Sequence, residues 1–303
     1  TEDMLIWGLF TIANAIQFLN NTAHLSHNNI NPSSVYVTKS GEWKLAGLEF
    51  VAETGKPGGL SQYIESNRKM GYLPTKTTYE YIDSYGFSHL AQHVYPKAPG
   101  PLQALISSLS SGPVTSFLTH PSVSTPFLTV VYNIDNYSAL DDVSRRSFLA
   151  SITKTQLPSL YCKYKLLPFY VDLFRSNMPE APCAVESMFK VSAGLETNEF
   201  VSEVQPLIPT LLASNDLQTK YVTMGSLRYC IKHLSQYYVE STIYPKVSQM
   251  TNNPNEKIRD AAVRALLPML EKLGKSKTAE CAEKLEKALT DPSAVVRTNA
   301  MVC

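Results

Sequence analysis

The chain has 303 residues, of which 44% are apolar and 17% charged, with a formal net charge of +1. That composition excludes the disordered class, and the near-neutral charge supplies no global field toward nucleic acid or an anionic membrane. No apolar run is long enough to span a bilayer, and the absence of a transmembrane segment is expected.

The first predicted element is a helix over Asp3–Asn20, with apolar residues Leu5, Leu9, Ile12, Ile16 and Leu19 at helical spacing. Glu2 and Asp3 stand where a signal peptide would need positive charge. A polar stretch from His24 to Ser34 leads into two short predicted strands, Val35–Val37 and Trp43–Leu45, joined by the turn Lys39-Ser40-Gly41. A loop containing Gly55-Lys56-Pro57-Gly58-Gly59 follows. Gly55-Lys56 lacks the upstream glycine and the following hydroxyl residue of a phosphate-binding loop, so it is read as an ordinary flexible turn. Helical pattern returns from Tyr79 to Val94, breaks at Pro96, Pro99 and Pro101, and resumes from Leu102 to Leu109. The Ser-, Thr- and Pro-rich stretch Ser110–Pro126 is the expected domain boundary, which divides the chain into 1–122 and 123–303.

From about Asp141 onward only helical patterns occur, and they repeat. Pro168, Pro206 and Pro245 are spaced by 38 and 39 residues, each near the start of an apolar helical run. Asp216, Pro254 and Pro292 are spaced by 38, and Lys220, Arg259 and Arg297 follow at 39 and 38. A turn residue with proline, an aliphatic-arginine pair (Ile258-Arg259, Val296-Arg297) and small residues together resemble the HEAT repeat. The resemblance implies two antiparallel helices per unit stacked into an α-solenoid, with Pro254, Arg259, Pro292 and Arg297 as its signature. The last unit stops partway through its second helix, so the natural protein is expected to continue, and an uncapped end would expose Val296, Met301 and Val302.

Residues 3–60 resemble the catalytic half of a protein kinase. In that family a loop reads H-R-D-L-K-P-x-N, and a D-F-G motif follows a hairpin. Here the run is His27-Asn28-Asn29-Ile30-Asn31-Pro32-Ser33-Ser34, and Ala46-Gly47-Leu48-Glu49 follows the hairpin. The resemblance places Asn29 where the proton acceptor belongs, Asn31 at the phosphate-neutralising lysine, Ser34 at a metal ligand and Gly47 at the magnesium aspartate. An amide takes no proton at neutral pH, and losing a general base costs about 10²–10⁴-fold. A glycine offers no side-chain oxygen to Mg²⁺. No glycine-rich loop, strand lysine or partner glutamate precedes Thr1, so the N-lobe is expected to be absent from this chain. His27 and Asp83 are structural remnants on this reading: Asp83-Ser84-Tyr85-Gly86-Phe87 resembles the start of the long central helix, whose aspartate braces the catalytic-loop backbone. The plainer alternative makes Asp83 a helix N-cap. Leu73-Pro74-Thr75 stands where the family has A-P-E.

The degenerate loop and the run Ser40–Glu49, followed directly by HEAT-like repeats, resemble the SCY-like pseudokinases, in the branch of the N-terminal kinase-like protein and the cytoplasmic export protein. The expected fold is mainly α: a pseudokinase C-lobe with a short β-hairpin, then a HEAT-repeat solenoid. The resemblance implies a catalytically inactive adaptor in coat-dependent Golgi–ER trafficking, with coatomer or small-GTPase machinery as partners. The alternative is a tRNA-binding factor in nuclear tRNA export. It implies a cytoplasmic location, Golgi-associated or at the nuclear pore.

Other constellations carry less. His89 and His93 share a helix face without a third metal ligand nearby, so no metal site and no cofactor are assigned. The five cysteines, Cys162, Cys183, Cys230, Cys281 and Cys303, are odd in number and form no C-x-x-C pair, which fits a reducing compartment. Aromatics such as Tyr161, Tyr170, Tyr229, Tyr237 and Tyr244 fall at helical spacing, as core packing requires, and a stacking surface for nucleic acid is the sharper alternative. Lys272, Lys275, Lys277, Lys284 and Lys287 form a basic region that could meet a partner, but Glu280, Glu283 and Glu286 interleave with it.

Overall fold

The computed structural model describes residues 1–54, 70–74, 81–176 and 178–303. The loop Gly55–Gly59, Thr75 and Tyr79 therefore lie outside the described residues. The chain is mainly α and forms two compact units, Thr1–Asp135 and Asn136–Cys303.

In the first unit, α1 (Glu2–Gln17) buries Ile6, Leu9, Ile12 and Ile16 on one face, the stripe its spacing dictates. Strands β2 (Val35–Val37) and β3 (Trp43–Leu45) form the antiparallel hairpin, with Val35 opposite Leu45 and Val37 opposite Trp43. A second, unforeseen ladder pairs β1 (Leu25–Ser26) with β4 (Ala52–Glu53), closing the polar loop back on the segment after the hairpin. Helix α2 (Ile82–Val94) packs on α1 and on α3 (Gly100–Ser108). Ser88 Oγ on α2 donates to the Ile106 carbonyl on α3 at 2.7 Å.

The Ser-, Thr- and Pro-rich stretch is no linker. Phe117 within it packs edge-on against Phe87 at 5.2 Å, and the next helix, α4 (Pro126–Asp135), sends Phe127 edge-on against Trp7 of α1 at 5.7 Å. These buried aromatics hold residues past 122 in the first unit, so the compact units divide at Asp135 and not at the expected position.

The second unit opens with α5 (Asp142–Ile152), capped by Asp141, which accepts from Ser144 N–H at 2.7 Å. Helical hairpins follow: α6 (Leu167–Arg175) with α7 (Val185–Ser192), then, after α8 (Thr197–Glu203), α9 (Ile208–Ala213) with α10 (Leu217–Cys230). The last two are α11 (Tyr244–Met250) with α12 (Glu256–Leu270), and α13 (Lys275–Ala288) with α14 (Ala294–Val302). The second helices form a row in which α7 packs on α10, α10 on α12, and α12 on α14. Each hairpin therefore buries its apolar face against its neighbours, as repeat architectures do.

The repeated prolines have a local structural consequence. Pro168 and Pro245 lie inside continuous helical chain, where a proline ring crowds the carbonyl four residues back. In both places a widened π turn, Cys162–Leu166 or Val239–Ile243, immediately precedes the helix that carries the proline. Pro206 sits instead in a 3-10 turn, Gln205–Leu207.

The register of the repeat differs from the sequence reading by one residue at one place. Asp216 was aligned there with Pro254 and Pro292, but it caps α10, as Asn255 caps α12 and Ser293 precedes α14. Lys220, Arg259 and Arg297 then occupy the same first-turn position of α10, α12 and α14, the second helices of three successive hairpins. Val296, expected to be exposed at the end of the chain, is buried against Val263, Ala288 and Ala300, whereas Met301 and Val302 are both 74% exposed.

Candidate functional site

The loop His27–Ser34 is buried and knit together by its own polar side chains. His27, Asn28, Asn29, Asn31 and Ser34 are all under one-tenth exposed. Asp83, at the start of α2, accepts three hydrogen bonds: from His27 N–H at 2.7 Å, from Asn28 N–H at 2.8 Å and from Asn20 Nδ2 at 2.8 Å. Its carboxylate thus serves the loop, and Tyr81 stands at the N-cap of α2 with no side-chain cap. Asn28 adopts a left-handed backbone (φ 62°), which asparagine tolerates better than most residues, and its Nδ2 donates to the Ser26 and Phe50 carbonyls.

The residues that the kinase resemblance aligns with catalytic positions bond one another. Asn31 Nδ2 donates to Asn29 Oδ1 at 2.7 Å, and Asn31 Oδ1 accepts from Ser33 N–H and Ser33 Oγ. Ser34 Oγ donates to the Asn31 carbonyl at 2.8 Å and accepts from Asn31 N–H. Asn31 is the N-cap of the turn Pro32–Ser34, with proline following it, a start signal legible in Asn-Pro-Ser-Ser that the sequence reading spent on the kinase frame. His27 Nε2 faces the Ala46 carbonyl at 2.9 Å while Nδ1 accepts from Asn29 N–H at 3.2 Å, the arrangement of a neutral imidazole. Burial holds its pKa below 6.5, outweighing the opposing influences of Asp83 and the Ala46 carbonyl.

Gly47 lies against this cluster at φ +81°, a conformation that disfavours any L side chain. A Cβ there would come within 2.8 Å of Asn29 Nδ2. On the far side Gly86 of α2 lets the helix approach the loop, since a Cβ at 86 would meet the Ile30 carbonyl at 2.8 Å. Amides, hydroxyls and one neutral imidazole are poor ligands for Mg²⁺, which takes carboxylate and phosphate oxygens. Among the described residues no group of three or more His, Cys, Asp and Glu side chains is placed to hold a metal.

The repeat signature assembles as a ladder. Arg259 grips Asp291 of the next repeat through Nε at 2.8 Å and Nη2 at 3.0 Å, while its Nη1 donates to the Asn253 and Pro254 carbonyls. Arg297 repeats the second half of that pattern, donating to the Asp291 and Pro292 carbonyls. Asp291, held below the usual carboxylate range chiefly by Arg259, is the link that sequence reading did not single out. Its signal was the 38-residue spacing to Asn253.

The basic region is largely engaged. Lys277 pairs with Glu280 at 2.6 Å and lies over the Tyr244 ring, Lys272 donates to the Lys232 carbonyl, and Lys287 donates to Asn252 Oδ1. Lys275 is exposed and Lys284 half-buried on the same helix, α13. Of the aromatics, Tyr161, Tyr170 and Tyr244 are core residues, Tyr229 is half-buried, and Tyr237 is 79% exposed. His89 packs against Tyr85. All five cysteines are free.

Comparison with known proteins adds relatives at low identity. No family model matches the chain. It is 24% identical, over all of its length and 41% of the relative's, to the probable inactive serine/threonine-protein kinase scy1 of Dictyostelium discoideum. The chain is thus similar to SCY-like pseudokinases. It is also 23% identical to the protein-associating with the carboxyl-terminal domain of ezrin of Mus musculus, over 88% of the chain and 42% of that protein. A stretch of 51 residues, 17% of the chain, is 31% identical to SCY1-like protein 2 of Mus musculus, of which it covers 6%. The chain spans about two fifths of the length of the first two of these relatives. Among solved structures, one titled "Crystal structure of Cex1p" aligns with a TM-score of 0.47 at 13% identity, over 99% of this chain and 70% of that one. Among the described residues no helix is long and apolar enough to cross a membrane.

Proposed function

We propose that this SCY-like chain is a non-catalytic adaptor: a kinase-like C-lobe over residues 1–122, extended in compact form to Asp135, followed by a HEAT-type solenoid that presents binding surfaces. Its role on this reading is in intracellular transport, through coat-dependent Golgi–ER vesicle traffic, with coatomer or small-GTPase machinery as partners and a cytoplasmic, Golgi-associated location.

The observation that carries the non-catalytic reading is the closed amide network. Asn29 and Asn31 bond each other at the positions where the kinase resemblance implies a proton acceptor and a phosphate neutraliser, and a side chain at Gly47 would collide with Asn29. Phosphoryl transfer depends on positioned metal and charge, and neither is offered by amides that already satisfy one another. The first relative's name, an inactive kinase, supports the same reading.

Protein partners are favoured over tRNA because Lys272, Lys277 and Lys287 are committed to groups within the chain. A tRNA surface needs cations free to neutralise phosphates. The test is a pair of assays on the chain. Co-purification with coat subunits, without salt-sensitive tRNA binding, is the expected outcome. Micromolar tRNA binding that is specific over duplex DNA and weakens steeply with salt would replace the trafficking role with tRNA export at the nuclear pore. A thermal shift with Mg·ATP would overturn the non-catalytic reading itself.

A further inference from the structure

Between α6 and α8 the second unit has a groove of about 250 Å³. Its floor is Leu167 and Val171 of α6 with Leu195, all buried, and Tyr164 and Pro168 stand exposed at its rim. Sites for whole small molecules run to about 300–1,000 Å³, so this one is sized for a single long side chain.

Two ion pairs span the groove. Lys163 Nζ meets Glu199 Oε1 at 2.8 Å, and Arg175 Nη2 meets Glu203 Oε2 at 3.5 Å. In the first pair the Lys163 pKa is raised and the Glu199 pKa lowered, each chiefly by the hydrogen bond to the other. Lys163 also lies over the Tyr164 ring at 5.2 Å. The lining thus sets two cations against three carboxylates. The carboxylate left over is Asp172, exposed on α6 one turn before Arg175 and without an ion pair among the described residues.

One repeat further on, the chain bridges the corresponding interval itself. Tyr238 follows Glu199 by 39 residues, the spacing of Pro206 and Pro245, and its hydroxyl donates to the Gln205 carbonyl at 3.1 Å. The groove lies open where a glutamate stands in place of that bridging tyrosine.

We propose that this groove receives an arginine side chain of a protein partner. The methylene stem packs on Leu167, Pro168 and Val171, and the guanidinium pairs with Asp172. Long cationic side chains bury their stems on apolar surface and keep the charged head at its edge, which matches an apolar floor with a spare carboxylate beside it. Arginine suits the site better than lysine because its planar fork can take a carboxylate by both oxygens and is less strongly hydrated. A nucleic acid would bring its phosphates to the acidic side of the balance. The inference rests on the adaptor reading above and gives that reading a point of contact.

The test selects peptides from a random library on the immobilised chain, with counter-selection against the Asp172→Asn chain, and measures the survivors by fluorescence anisotropy. Asp172 is exposed, so this variant should keep the melting temperature of the parent. Expected are peptides carrying an arginine whose replacement by citrulline, its uncharged isostere, lowers affinity about tenfold, with Asp172→Asn lowering it by a similar factor. Asp172→Arg should abolish their binding, and versions with Glu in place of the arginine should recover it. No survivors, survivors without arginine, or survivors indifferent to citrulline would overturn the proposal. So would equal affinity with lysine in place of the arginine. The adaptor reading is scored separately by co-purification of coat subunits with the parent chain. Its failure leaves the peptide result standing, and loss of the peptide result leaves the co-purification standing.

Discussion

Replacing Asp83 with asparagine tests the central structural claim about the loop. The carboxylate, 2% exposed, accepts from two backbone N–H groups and from Asn20 Nδ2. A buried hydrogen bond to a charged acceptor is worth about 1.5–3 kcal/mol, and a buried donor left unsatisfied costs about 1–3 kcal/mol. A carboxamide retains one accepting oxygen and turns an NH₂ toward the remaining donors, so Asp83→Asn is expected to cost about 2–3 kcal/mol. Asp83→Ala removes every acceptor and should cost about 3–5 kcal/mol. Since about 1.4 kcal/mol is a factor of ten in an equilibrium, the amides of His27 and Asn28 should exchange with solvent roughly 30- to 100-fold faster in the asparagine variant. Hydrogen exchange read amide by amide is the assay, with amides of α10 and α12 in the second unit as internal reference. Asp83→Ser supplies the decisive control. It preserves a helix-start residue, so it should be tolerated if Asp83 merely begins α2, and should match alanine if the carboxylate braces the loop. Protection of His27 and Asn28 unchanged in all three variants would refute the brace.

The other expectations come from the same contacts. Gly47→Asp, which nominally restores a metal ligand, should destabilise the first unit by about 1–3 kcal/mol through a strained φ and the clash with Asn29, and should show no Mg²⁺-dependent rise in melting temperature. Burial depresses the His27 pKa below 6.5, so the unfolded chain takes the proton first; this contribution is complete above pH 6.5 and is lost as the pH falls through the depressed folded value. Urea midpoints of the parent and of His27→Gln measured across that range should converge toward the acid side. Arg259→Lys should cost about 1–2 kcal/mol, because an ammonium cannot reproduce the two-pronged grip on Asp291, and a double-mutant cycle with Asp291→Asn should return a coupling of about 1–3 kcal/mol. Burial pushes the Cys230 thiol up to about 12, so iodoacetamide at neutral pH should label it only as the second unit unfolds.

Much of the fold was legible in the sequence where one periodicity dominates. The helical stripe of α1, the hairpin Val35–Val37 with Trp43–Leu45, and the 38- to 39-residue repeat all arise from local spacing. The parts that escaped depend on distant partners. The β1–β4 ladder joins two-residue segments with no pattern of their own. The late division at Asp135 is decided by Phe127 finding Trp7, a choice that a Pro- and Ser-rich composition conceals. The buried network of Glu180 with Arg145 and the Tyr137 hydroxyl joins residues 43 positions apart at its widest, so no local signal announces it. Of the candidate site, the alignment of Asn29, Asn31 and Ser34 with kinase positions is an expectation drawn from the frame of His27, Ile30 and Pro32. That Asn29, Asn31 and Ser34 would satisfy one another could not be read there, because that depends on rotamers and not on spacing.

The two halves of the candidate site follow from one physical constraint. A loop that carries carboxylates for a metal must hold like charges close together, and it stays stable only with cations beside them. In this loop the amides of Asn29 and Asn31 and the hydroxyl of Ser34 donate and accept within the cluster, so its polar groups are satisfied with no ion present. The one carboxylate that reaches it, Asp83, comes from behind and holds backbone. Stability of such a loop requires neither nucleotide nor metal. The second unit solves the same problem in another way. Asp291 is charged, but Arg259 from the preceding repeat holds it by both oxygens, so ion pairing there joins successive hairpins.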